Sequence, residues 1–250
     1  MMTRSRYLLA LMVLIFAAPR GICAQQSLGT PGLLHVSSAE MDTTGTIRIG
    51  VHYVDKHLVP DRMTIDGKKF NSFTNYLSIT PFHWIEIGYG YTLWKFHRNK
   101  QPAAPIGFYA KDRYFSLRLC PLKEGRYWPS IVLGGNDVYG SGDDGTSASN
   151  YYKNYYIAAT KHLTLGQSTL GLHLAYRHWK RDFNHKWNGA VGGLTFRPAC
   201  CKPLRLVAEW DGCEANVGAD CLLFRHFALQ AMLQDLRYPS AGICYQLTLK

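Results

Sequence analysis

The chain has 250 residues, and nothing after residue 24 stays apolar for the roughly 20 residues a spanning helix needs, which excludes a helical membrane protein. Twenty-eight Lys and Arg against 17 Asp and Glu give a formal net charge of +11, a balance that favours polyanions such as lipopolysaccharide phosphates or acidic polysaccharide. Of seven cysteines, six follow Cys23 and none forms a C-x-x-C pair, so no metal and no cofactor is expected, and each thiol reads as a small hydrophobe.

The first residues have the form of an export signal. Arg4 and Arg6 precede the apolar stretch Tyr7 to Ala18, and Ile22-Cys23-Ala24 offers a cleavage site before Gln25. The other reading, a retained anchor, requires a longer apolar run. Lipidation at Cys23 would need small residues before it, and Arg20, Gly21 and Ile22 do not supply them. Residues 1–24 are therefore expected to be a signal peptide. Residues 25–44 form an amino-terminal segment, periplasmic or lumenal, and residues 45–250 one all-β unit. An exported chain has little occasion to meet nucleic acid.

From residue 45 the pattern is alternation. Ile47, Ile49, Val51 and Tyr53 alternate with Arg48, Gly50 and His52. In 84–93, Ile85, Ile87, Tyr89, Tyr91 and Leu93 alternate with Glu86, Gly88, Gly90 and Thr92. The same two-residue period runs through 115–119, 170–177, 204–210 and 242–249, and it places successive side chains on opposite faces of a strand. Strands are predicted near 45–54, 70–79, 83–95, 113–120, 128–137, 153–162, 168–178, 187–196, 203–210, 215–223, 226–234 and 239–249. Twelve is an even number, as bacterial transmembrane barrels require. Connections 55–69, 96–112, 138–152 and 179–186 are long, whereas those at 80–82, 164–167 and 224–225 are short, the habit of a barrel with both ends periplasmic. The short connections near 211–214 and 235–238 depart from it. Trp84, Trp94, Phe96, Trp128, Tyr151, Tyr152, Tyr155, Tyr156, Trp179, Trp187 and Trp210 fall near strand ends and are expected in two interfacial girdles. The fold expected is a single antiparallel transmembrane β-barrel of about twelve strands, placed in the outer membrane of a Gram-negative bacterium.

If the apolar faces meet lipid, Arg48, His52, Glu86, Arg118, His173, Arg177, Arg205 and Glu209 line the lumen, with Asp220, Gln230 and Gln246. A charge facing mid-bilayer lipid costs roughly 2–4 kcal/mol, which enforces that orientation. Such an interior is either a selective path for an anionic solute or a filled one held by Arg–Glu pairs. Outside, Lys95, Arg98, Lys100, Lys111 and Arg113 form one group of cations and Lys180, Arg181 and Lys186 another, both beside aromatics. They suit phosphate or uronate groups on surface glycans. Gly140 to Gly145 carries two aspartates without the closing glutamate of a calcium loop and reads as a plain outer loop. Ser116 and His173 could serve a hydrolase, but no spacing pairs them.

Gly29-Thr30-Pro31-Gly32-Leu33-Leu34, Ser37-Ser38-Ala39-Glu40-Met41 and Gly45-Thr46-Ile47-Arg48-Ile49-Gly50 together resemble the opening of the YjbH-type outer-membrane proteins, which are associated with exopolysaccharide production. Pro81-Phe82-His83-Trp84-Ile85-Glu86, Val132 to Val138 and Tyr151 to Lys161 follow in the same order. The resemblance implies a non-enzymatic barrel linked to exopolysaccharide secretion or cell-envelope assembly, and it carries over no catalytic residues. A general solute channel and an outer-membrane hydrolase are the alternatives. Expected partners are outer-membrane lipid and lipopolysaccharide, the barrel-assembly machinery reading Ser240-x-Gly242-x-x-Tyr245-x-Leu247, acidic polysaccharide, and other envelope secretion proteins.

Overall fold

The computed structural model describes residues 25–140 and 150–249. The expected signal peptide and the aspartates of the 140–145 loop lie outside the described residues.

Twelve strands close a barrel: β1 (Thr46–Val54), β4 (Ser72–Phe82), β5 (Ile85–His97), β6 (Ile106–Leu122), β7 (Ser130–Gly140), β8 (Asn154–Leu165), β9 (Ser168–Trp179), β10 (Gly189–Arg197), β11 (Leu204–Trp210), β12 (Ala215–Leu223), β13 (Phe227–Gln234) and β14 (Tyr238–Thr248). A small hairpin, β2 (Thr64–Ile65) and β3 (Lys68–Lys69), sits in the connection after β1. Each barrel strand pairs antiparallel with its neighbours. The ring shuts where β1 meets β14, from Thr46 opposite Thr248 to Tyr53 opposite Ala241. Closure satisfies every edge, so no unpaired row of N–H and C=O groups remains at the seam.

The two-residue period sorts the side chains as expected. Ile49, Leu77, Ile87, Leu133, Ile157, Leu174, Leu194, Leu206 and Ile243 face outward and are exposed. Their neighbours along the chain fall in the inward phase and are buried or half-buried. An exposed apolar surface running round the whole wall far exceeds the scattered hydrophobics of an ordinary soluble surface.

Two expectations need correction. Strand β6 begins at Ile106, not near 113, because Ile106 to Lys111 pair with Leu93 to His97 across a bulge. Lys111 and Arg113 therefore belong to the outward face of a strand and not to a loop. The girdle is also redistributed. Trp94, Tyr151, Tyr152, Tyr156, Trp179 and Trp187 are buried, because Trp94, Tyr156 and Trp179 fall in the inward phase and the others close over the mouth. All but Tyr156 pack with Leu58, Val59 and Met63 of the β1–β4 connection into a cluster that caps the end of the barrel opposite the termini. Exposed aromatics still mark both rims: Phe82, Trp84, Tyr127 and Trp128 at the terminal end, and Tyr109, Tyr139, Tyr155 and Trp210 toward the other.

Candidate functional site

The lumen is occupied by the chain's own amino-terminal segment. Residues 25–39 are buried throughout, folded back on themselves by bridges between Gln25 and Pro31 and between Gly32 and Ser37. The Gly-Thr-Pro-Gly run makes this possible. Gly29 has φ +82°, and a Cβ there would lie 2.4 Å from that of Tyr76. The apolar side of the segment, Leu33, Leu34, Val36 and Ala39, packs on inward-facing Val132, Ala158, Val191, Val207 and Met232. A fully buried leucine or valine contributes about 1.5–3 kcal/mol. Leu34 seats over Gly218, where a Cβ would come within 3.0 Å of it.

The inward ionic residues clamp this plug. Glu209 on β11 accepts three successive backbone N–H groups, from Leu34 at 3.0 Å, His35 at 2.8 Å and Val36 at 3.1 Å. Consecutive N–H groups converging on one carboxylate form an anion nest, here occupied from within the molecule. Arg118 on β6 donates to the carbonyls of Ser38 at 2.7 Å and Glu40 at 2.8 Å while pairing with Glu86 at 3.1 Å. Arg205 donates to the Gly32 carbonyl at 3.1 Å, to Glu40 at 2.9 Å and to Asp220 at 2.8 Å. Arg177 donates to the carbonyls of His35 and Trp187, each at 2.9 Å, and to that of Asp211. Arg48 holds Asp42 through two bonds of 2.6 Å. Gln230 adds a bond to the Leu33 carbonyl at 3.2 Å. A guanidinium's fixed fork of donors suits this work, since one side chain can bridge two or three acceptors.

His52 and His173 are also buried and inward, but neither hydrogen-bonds the plug's backbone. His52 stacks on Tyr76 with ring centroids 5.4 Å apart. His173 has both ring nitrogens on threonine hydroxyls, those of Thr160 and Thr195, each at 3.0 Å. Ser116 is buried on β6 and is not among its partners. Glu40, His162 and His173 each bring one potential metal-ligating atom within 4.8 Å of the others, a grouping the sequence did not disclose because it joins a loop to two strands. Those atoms already have partners: Glu40 bonds Arg205 and His162, and His162 also bonds Glu124 at 2.7 Å. Burial raises the Glu124 carboxyl, but the hydrogen bonds from His162 outweigh it and hold the group below the usual carboxylate range. At the opposite mouth, Asp211 is also held below that range. Burial raises it, while His35 at 3.3 Å and the N–H groups of Cys213 and Glu214 more than compensate.

The outer cations do not form one patch. Arg98 and Lys100 lie in a tight turn after β5, Lys111 and Arg113 point outward from β6, and Lys180 and Arg181 open the β9–β10 connection. Lys95 and Lys186 alone among the expected cations line a common cleft, together with lysines of the β1–β4 connection, a stretch whose sequence pattern marks it only as a long loop.

Fold and lumen together define a self-plugged twelve-strand β-barrel, apolar outside and ionic within. The chain belongs to the YjbH family: the family model described as exopolysaccharide biosynthesis protein YbjH matches residues 24–216. No curated protein sequence matches it. Among solved structures, it is similar to outer membrane phospholipase A from Escherichia coli, with 11% identity over 84% of this chain and 98% of that one and a TM-score of 0.38. The Salmonella typhi outer membrane phospholipase dimer with bound calcium gives 11% identity, coverage of 83% and 91%, and a TM-score of 0.36.

Proposed function

We propose that the chain is exported by its amino-terminal signal, spans the outer membrane of a Gram-negative bacterium, and supports exopolysaccharide secretion or envelope assembly without catalytic chemistry of its own. Its outward wall of Ile, Leu, Val and aromatic residues supports the membrane placement, since only a closed barrel satisfies a sheet's backbone in lipid. The family's description supports the polysaccharide link.

One observation carries the rest: the ionic residues of the lumen are spent on the chain's own segment, Glu209 on three N–H groups and Arg118, Arg177 and Arg205 on plug carbonyls. A filled interior favours a structural or docking role over a diffusion channel. Among the described residues His173 bonds two threonine hydroxyls, one on each ring nitrogen, and no serine, which gives no support to a serine-hydrolase reading.

Deleting the gene is expected to lower exopolysaccharide yield, with recovery on re-expression of the full chain. The product should be found in isolated outer membranes, migrating differently in gels before and after boiling. Unchanged yield, or a freely soluble product, contradicts the reading.

A further inference from the structure

At the end of the barrel opposite the termini, the β1–β4 connection arches beside the rim and leaves a cleft of about 790 Å³. That volume lies within the roughly 300–1,000 Å³ of sites that hold compact ligands. Lys56, Lys68, Lys69, Lys95 and Lys186 line it with His57, which bonds Glu214 at 2.7 Å, and among the described residues no acidic side chain lines the cleft itself. Asp61 pairs with Lys69, and with Lys186 at 3.5 Å, and its carboxyl is held below the ordinary range first by the hydrogen bond from Lys69. Lys56, Lys68 and Lys95 have no carboxylate partner among the described residues.

The remaining walls are aromatic. Tyr53, Phe73 and Phe108 follow one another edge to face across β1, β4 and β6, with centroids 5.6 and 5.4 Å apart. The Lys95 ammonium stands 5.3 Å from the Phe70 ring centre and 5.6 Å from that of Phe108, so the rings hold a cation in place without neutralising it. Tyr238 closes the far side, stacked on His57 at 4.1 Å.

We infer that this cleft binds an acidic saccharide. Ring faces pack against the C–H faces of pyranoses, while flexible ammonium groups meet carboxylate or phosphate substituents as point charges. Lys69 of the β1–β4 connection and Lys186 of the β9–β10 connection meet at Asp61, while Lys95 stands on strand β5, a spread between cap and wall that suits a glycan lying across the cap better than a lipid headgroup lodged at the side. The assignment rests on the outer-membrane placement proposed above with the termini on the periplasmic side, which turns this end toward the cell exterior.

The test uses the purified full chain in neutral detergent micelles, titrated calorimetrically with hexagalacturonate and with maltohexaose. Hexagalacturonate should bind, less tightly at raised salt, and maltohexaose should not. The double variant Lys68→Gln/Lys95→Gln, its fold checked by heat-modifiable migration, should weaken binding at least tenfold. No binding of hexagalacturonate, equal binding of the neutral hexamer, or an unaffected double variant each overturns the inference. So does purified lipopolysaccharide binding in a lysine-dependent way where hexagalacturonate does not. Intact binding alongside unchanged exopolysaccharide yield in the deletion strain would sink the secretion role and leave the cleft standing.

Discussion

The carboxylate of Glu209 accepts the backbone N–H of His35 at 2.8 Å, joining residues 174 positions apart across the lumen. Because Leu34 and Val36 donate to the same carboxylate, one side chain of the wall fixes the turn of the plug. Glu209→Ala would orphan three buried donors, and each unsatisfied group costs about 1–3 kcal/mol. The variant should keep its barrel but release residues 25–44 to limited proteolysis, read as loss of an amino-terminal fragment before the barrel is cut. Glu209→Gln, which retains one acceptor oxygen, should be intermediate. A protection pattern identical to wild type would show that the nest does not hold the plug.

Acid should loosen the same end. The folded Asp211 carboxyl lies below its unfolded value, so its contribution is fully present above about pH 4, the ordinary carboxylate range, and fades as pH falls through the lower folded value. That contribution is on the order of 2 kcal/mol. The gap in melting temperature between wild type and Asp211→Asn should be wide at pH 6 and narrow steadily below pH 4. A gap indifferent to pH would mean that the His35 contact stores no proton-linked stability.

Leu174 is 63% exposed near the middle of β9 and faces outward. Leu174→Arg should cost roughly 2–4 kcal/mol of folding stability in bilayers and reduce the heat-modifiable fraction in outer membranes, while Leu174→Ala should cost far less. Equal behaviour of the two variants would contradict lipid contact at this position.

Alternation makes most of the wall legible in the sequence, since a period of two fixes both the element and its faces. Arg48, Glu86, Arg118, Arg177, Arg205 and Glu209 can be placed inside because they fall in the phase opposite the large apolar residues of their strands. What they hold cannot be read in that way. The plug has no period: Gly29 to Val36 is a loop whose backbone bonds to side chains of the wall go more than 140 residues downstream, and local pattern carries no trace of such partners. The aromatics show the same limit. Trp94 and Trp179 differ from Trp84 and Trp210 by strand phase and by what covers the mouth, and proximity to a strand end does not distinguish them. The lysine cleft depends on Lys186 approaching Asp61 across the mouth, a contact between connections separated by six barrel strands.

The claim on which the rest depends is that the amino-terminal segment closes the barrel, and planar-bilayer conductance tests it most directly. The intact chain should give no sustained open steps, while a chain lacking residues 25–44, refolded to the same heat-modifiable barrel, should give stable ones. Steady conductance from the intact chain, unchanged by that deletion, would contradict a lumen filled by the segment that Glu209 and the inward arginines hold.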